Sequence, residues 1–411
     1  MVIQIKIISV LKITVITQYY KPEMGAPQNR LYEMCRGLKE NGADVSIITG
    51  MPNYPTGKIF AGYKRRLSMK EILDGIEVKR YWLYASNSRK AIPRIWNMTS
   101  FSFMVLFSLR YLRKRHNDYI IVESPPLMLG ESALILARLT KARLILNVSD
   151  LWPLSAKELG AISEKGLAYR CLEKLEHHLY RKAHLCMGQS QEIVDYMSSH
   201  GAKEVYLFRN GVDPSRFEGI SVKPDSDKVK LIYAGLLGFA QGIADICKSI
   251  NFAELGVEFH IYGAGGEQME IENYIASNQY NGIIYHGVVT RDELPYKLKE
   301  ANMTLVPLVK NIYGAVPSKI YESMAAGLPI LFVGDGEGAR IVRENNVGLV
   351  AKTRDYKTLK ENIRYAATHP DEIMEMTKNC KACARDLYNR PKQIKDLFNY
   401  IHVRNKKSIC T

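Results

Sequence analysis

The chain has 411 residues, 46% of them hydrophobic and 24% charged. That composition is ordinary for an α/β protein with room for two cored domains, and it argues against disorder. The net charge is +15, but residues 1–115 alone hold 20 Lys+Arg against 7 Asp+Glu, so the excess sits almost wholly in the first quarter. Seven cysteines are scattered without a framework, and Cys380-Lys381-Ala382-Cys383 is a lone C-x-x-C with no second pair to complete a zinc site. The thiols read as free, in a reducing cytoplasm.

The opening apolar run carries Lys6 and Lys12 and leads into a strand pattern, so no N-terminal signal is expected. Residues 12–17 read as a buried strand, 28–40 as a helix ended by Asn41-Gly42, and 43–49 as the next strand. This is the opening of a doubly wound domain. The intervening loop has Gly25-Ala26 but no full G-x-G-x-x-G, which makes a dinucleotide site a poor reading.

Cations then cluster at Lys64-Arg65-Arg66, Lys79-Arg80, Arg89-Lys90-Arg94 and Arg110-Arg113-Lys114-Arg115. Nucleic acid and anionic membrane are the usual partners of such a field. Between the last two clusters lies an apolar, aromatic stretch, 95–109. It is shorter than the ~20 residues that span a bilayer. It suits either a helix lying in a membrane interface or an ordinary core helix.

Further strands are expected at 118–123 and 143–148, with a helix over 129–140 between them. Their ends carry Glu123 and Asp150, at the edge where open α/β sheets place their chemistry. Each carboxylate suits a binding or acid/base role, or simply caps the following turn. A charged amphipathic helix over 163–183, a short strand at 185–187 and a helix over 191–199 complete this half. Arg209-Asn210-Gly211-Val212-Asp213 reads locally as an Asn-Gly turn after a strand, and the polar, Pro-bearing stretch 223–228 as a connector.

The strand-and-loop pattern restarts at 228–234 and passes into Gly235-Leu236-Leu237-Gly238-Phe239-Ala240-Gln241-Gly242. A strand at 257–262 is closed by Gly263-Ala264-Gly265-Gly266, and another at 283–287 carries His286. The stretch that organises the chain is Val316-Pro317-Ser318-Lys319-Ile320-Tyr321-Glu322-Ser323-Met324-Ala325-Ala326-Gly327-Leu328-Pro329. Pro317 is expected to open a compact helix that Gly327 and Pro329 close. Ile320 and Met324 can face a core, while Lys319 and Glu322 share another face. A helix N-terminus with a cation and a carboxylate suits an anionic, hydroxyl-bearing ligand. The plainer alternative is a surface helix with a solvated Lys–Glu pair.

This stretch resembles the nucleotide-binding motif of retaining two-domain glycosyltransferases of the family-4 type, the large family of bacterial polysaccharide and lipid glycosyltransferases. That motif runs Glu, seven residues, a second Glu, then Met-Ala-x-Gly-x-Pro. Glu322 and Met324–Pro329 match it, whereas the first Glu falls on Gly314. The Pro-Ser-Lys variant resembles a subgroup that assembles cell-surface polysaccharide repeats, including O-antigen. The resemblance implies a GT-B architecture: an N-terminal Rossmann-like domain over 1–212, a nucleotide-sugar domain over 213–390, and a return helix with the tail over 391–411.

It further implies roles for individual residues. Gly25 would stand where the family approaches donor phosphate and acceptor, and Gly263 in the Gly-x-Gly turn beside the nucleotide. His286 would lie where the base is held. Asn210 belongs to the hinge. The family's loop cations are replaced here by Leu236 and Gln241, between Gly235 and Gly242. The diphosphate charge then falls to Lys319, backbone around Pro317-Ser318-Lys319, and Arg209, with Glu322 able to accept from a diol. Glu123 and Asp150 remain the candidate carboxylates.

The implied reaction moves a sugar with retention, from a nucleotide sugar and without a metal cofactor; no Asp-x-Asp stands where a metal-bound diphosphate would want one. A UDP-sugar, N-acetylated and amino or deoxyamino, is the expected donor. A saccharide on a membrane lipid is the expected acceptor, at the inner face of the plasma membrane. One rival is a nucleotide-sugar epimerase or hydrolase on the same scaffold, which would not need an acceptor. The other is a basic nucleic-acid-binding module. Against that stand the missing RNA or DNA motif and the packing of cations around apolar aromatics.

Overall fold

The computed structural model describes residues 10–88, 90–220 and 228–409; Lys6, Arg89 and the expected connector at 223–227 lie outside them. Two compact units emerge. One comprises the residues up to Arg209 together with those from Pro391 on, and the other is Asn210–Arg390.

The first unit is built on β1 (Lys12–Ile16), β2 (Asp44–Gly50), β3 (Ser68–Leu73), β4 (Ile76–Tyr81), β5 (Tyr119–Ser124), β6 (Arg143–Val148), β7 (Leu185–Gly188) and β8 (Val205–Leu207). The strand order is β3-β4-β2-β1-β5-β6-β7-β8. All neighbours are parallel except β3 and β4. Central strands such as β5 are buried at every residue, which is why they read as unbroken apolar runs. The order reverses between β1 and β5, so the loops after these strands open on a switch-point crevice.

The β3–β4 hairpin was not anticipated. Its turn, Asp74-Gly75, has both residues at positive φ (50° and 69°), the requirement of a type I′ hairpin turn. The C-terminal helix Arg390–Ile409 lays Ile394, Leu397 and Ile401 into the same core as Leu31, Met34 and Leu38 of the first helix, Ala26–Glu40. It is pinned there by Tyr119 Oη donating to the Ile401 carbonyl (3.3 Å) and Asn405 donating to Asp118 (3.0 Å).

The second unit contains β9 (Val229–Ala234), β10 (Val257–Tyr262), β11 (Ile283–Gly287), β12 (Met303–Pro307), β13 (Ile330–Val333) and β14 (Gly348–Ala351). They pair in the order β11-β10-β9-β12-β13-β14, all parallel. Here the switch lies between β9 and β12. Residues 210–212, expected to close the first domain, belong to this unit. The Val212 N–H donates to Tyr388 (2.9 Å) and the Arg390 N–H to Val212 (2.8 Å), a ladder that ties the segment in.

Two helices start later than expected. The helix expected over 163–183 runs Leu167–Lys182, after Gly166 in an extended conformation. The helix expected from Pro317 begins at Lys319. Cys380 and Cys383 sit three apart on one face of the helix Pro370–Asp386 and are buried, so the C-x-x-C is a pair of core thiols rather than a feature of a polar surface.

Candidate functional site

In the second unit, two glycine loops interlock at the C-terminal ends of β9 and β10. The Gly235 N–H donates to Tyr262, Leu237 to Ala264 and Glu267 to Leu237, at 2.9–3.0 Å. A Cβ built on Gly263 would fall 1.8 Å from the Gly235 carbonyl oxygen, and one on Gly265 2.2 Å from that of Leu237. Both obstacles are backbone, so only glycine lets the loops pass this closely.

Lys319 arrives over this floor from the start of the helix Lys319–Ala326. That helix is seated by Ile320 and Met324, both wholly buried with Ile330 and Phe332, as the spacing predicts. A Cβ on Gly235 would meet Lys319 Nζ at 2.4 Å. The ammonium lies 4.6 Å above the Tyr233 ring and donates to Tyr233 Oη (3.2 Å). It has no carboxylate partner among the described residues. Burial lowers its pKa to about 8, with Glu322 acting in the opposite sense. The solvated Lys319–Glu322 pair of the plainer alternative is absent among the described residues. Glu322 faces Arg216 instead, 3.9 Å away.

The remaining expected residues of this unit divide. The Pro317 and Ser318 carbonyls accept from Ile320 (3.2 Å) and Tyr321 (3.1 Å), while the N–H groups of Ser318 and Lys319 have no acceptor among the described residues. Gly242 adopts left-handed φ (63°) and fits against Val309. It precedes a helix whose N-terminus is already occupied: the Glu267 carboxylate accepts from Ile243 (2.9 Å) and Ala244 (3.3 Å). That end therefore offers no phosphate seat. Gln241 turns Oε1 inward, where it is buried and unpartnered.

His286 stacks on Tyr262 (4.4 Å, 6°) and meets His260 at 3.0 Å, as a strand-end histidine does. Asn210 accepts from Arg390 (3.1 Å), so it serves the ladder at the start of the unit rather than an open site. Tyr233 and Arg216, the partners of the two motif side chains, carried no sequence signal of their own; each is distant along the chain.

In the first unit, Glu123 sits near the end of β5, with one oxygen accepting from Arg30 and the other from Asn147. Both oxygens are engaged and the pair is buried, which makes Glu123 an anchor for Arg30 rather than a free acid or base. Asp150, beyond β6, is half-buried and, among the described residues, accepts from Ser155 Oγ (3.0 Å) and the Leu151 N–H; burial raises its pKa. Of the two carboxylates it is the more available. Gly25 is extended, and its Cβ position is taken by Gln28 Oε1 (2.4 Å), a buried acceptor without a partner. Arg209 is half-buried just after β8.

The stretch 95–109 packs one face into the core and leaves the other exposed. It lies in the helices Ala91–Met104 and Leu109–Arg115 and the turn between them. One face sinks Phe101, Val105 and Leu112 into the core. The other leaves Ile95, Trp96, Phe103 and Phe107 between 57% and 63% exposed, beside exposed Arg94, Arg110, Arg113 and Lys114. No helix among the described residues is long and apolar enough to cross a membrane.

Residues 25–211 match the family described as "Glycosyl transferase 4-like domain", and residues 218–386 that described as "Glycosyl transferases group 1". The chain is 23% identical over 337 residues to a protein of Escherichia coli (strain K12) described as a colanic acid biosynthesis glycosyl transferase, covering 77% of this chain and 82% of the relative. Its structure superposes on sucrose-phosphate synthase of Thermosynechococcus elongatus with a TM-score of 0.73 at 15% identity, over 97% of this chain and 100% of the other. It superposes on Anabaena HepE, solved with UDP and glucose, with a TM-score of 0.66 at 14% identity, over 95% and 99%. The fold is thus the two-domain α/β GT-B fold of glycosyltransferases.

Proposed function

We propose that this chain, a glycosyltransferase carrying a glycosyl transferase 4-like domain followed by a group 1 domain, moves a sugar from a UDP-sugar to a lipid-linked saccharide in the assembly of cell-surface polysaccharide. The sugar is an N-acetylated amino or deoxyamino hexose and its anomeric configuration is retained. The observation that carries the reading is Lys319. A desolvated ammonium with only a phenol for company is costly until an anion arrives. The open N–H groups of Ser318 and Lys319 lie at the same helix end.

A donor diphosphate placed there gains charge stabilisation as the glycosidic bond breaks and negative charge grows on the leaving oxygen. Glu322 accepts from the ribose diol, held toward it by Arg216. The leaving phosphate takes the acceptor hydroxyl's proton on the face it vacates, which yields retention without a protein nucleophile, and no metal is required. Asp150 contributes acceptor binding. The exposed apolar and basic face of residues 94–114 holds the enzyme at an anionic membrane where the lipid acceptor resides.

The test is transfer of radiolabel from a panel of UDP-sugars into organic-extractable material of a bacterial membrane-lipid extract. Label should enter the lipid phase with wild type and not with Lys319→Ala. Release of free sugar at equal rates with and without lipid would favour the hydrolase reading instead.

A further inference from the structure

We propose that the second unit holds a site for a small amphipathic organic anion, at the end of its sheet opposite the glycine loops. A cavity of about 390 Å³ lies there, lined by Val229 and Met303, the first residues of β9 and β12, by Leu328 ahead of β13, and by Ile373 and Thr377 of the helix Pro370–Asp386. Its size is within the roughly 300–1,000 Å³ of small-molecule sites. The floor is apolar. Two cations, Lys299 and Lys381, complete the lining.

These lysines differ from their neighbours. Lys297, two residues before the first, pairs with Glu300 (2.9 Å), and Lys378, three before the second, pairs with Glu375 (3.5 Å). Neither Lys299 nor Lys381 makes an ion pair or hydrogen bond among the described residues. Lys299 is half-buried, and burial together with the charge of Lys381 lowers its pKa. Two positive charges thus share one cavity with no counter-charge.

The backbone accommodates the second of them. Lys381 lies across Gly327, where a Cβ would meet its Cε at 2.5 Å. Gly327 is also the left-handed residue (φ 75°) that ends the Lys319 helix, so one glycine both closes that helix and admits the lysine stem. An anionic head, carboxylate or phosphate, would sit between the two ammonium groups within reach of the Thr377 hydroxyl. A short apolar body would cover Val229, Ile373 and Met374. The site is a full helix away from Lys319 and independent of the donor assignment.

Octanoate, octyl phosphate and octanol, each titrated calorimetrically into the full-length protein, test the site. An octyl anion should saturate one site, with octanol weaker by about tenfold or more, the worth of a charged hydrogen bond. Lys299→Gln/Lys381→Gln should lose affinity by about tenfold to a hundredfold, and Lys297→Gln/Lys378→Gln should not. Preference for octanoate or for octyl phosphate identifies the head group. Circular dichroism melting checks the fold of each variant, and exposed Lys381→Gln alone reads the same loss if the double variant fails to fold. No saturable binding, equal binding of octanol, or undiminished affinity in the Lys299/Lys381 variant would overturn the proposal.

Discussion

The two units treat their charges in opposite ways. In the first, buried arginines are neutralised in place: Arg30 by Glu123, which also accepts from Asn147, and fully buried Arg80 by Glu71. Its exposed cations stand out on the apolar face of residues 94–114. In the second, the ammonium of Lys319 is desolvated beside a glycine floor with no carboxylate against it. A neutralised pair holds structure, whereas an uncompensated charge in a built recess waits for a ligand. The same residue types therefore carry different meanings, decided by who already occupies them.

That contrast breaks most visibly at Glu123. Glu123→Ala leaves Arg30 buried beside a vacated partner, and unfolding in urea should show a loss of about 3–5 kcal/mol. A variant as stable as wild type but without turnover would return Glu123 to the catalytic list. Lys319→Ala should do the reverse, lowering kcat/KM by about 10²–10³ as for removal of a single charge-stabilising donor, with no loss of thermal stability.

A pH series sharpens the comparison further. Lys319 must be protonated to hold a diphosphate, and its pKa is lowered from 10.5 to about 8, so kcat/KM should fall as pH rises through about 8. Lys319→Arg, charged throughout, should lose that limb. The linked stability has the opposite slope. Between about 8 and 10.5 the unfolded chain keeps the proton that the folded chain has lost, so this residue's contribution to stability rises with pH there. The smallest effects belong to the exposed face. Single Gln substitutions at Arg110, Arg113 or Lys114 should each weaken sedimentation with phosphatidylserine vesicles by about 1 kcal/mol at low salt. Trp96→Ser should weaken it at every salt concentration, which separates burial from charge.

What was legible in the chain was whatever is local. Central strands of both sheets are contiguous apolar runs because they are buried on both faces, and the Lys319 helix shows its core side in Ile320 and Met324. The β3–β4 hairpin escaped although Asp74-Gly75 marks its turn, because its first strand alternates only between exposed and half-exposed residues. Partners across the chain were not legible. Tyr233 lies 86 residues from Lys319, and nothing in a strand tyrosine announces the lysine above it. Nor does the sequence show that Glu267 fills the helix end after Gly242, or that Arg30 and Asn147 claim both oxygens of Glu123. Periodicity reports which face is buried; it does not report what is already satisfied.

The most direct measurement is ligand-induced thermal stabilisation across UDP-, GDP-, ADP- and dTDP-sugars, with wild type, Lys319→Ala and Glu322→Ala side by side. UDP-sugars should raise the melting temperature of wild type, and Lys319→Ala and Glu322→Ala should both lose that shift. Equal shifts in all three proteins would contradict the assignment of the Lys319 helix as the donor site.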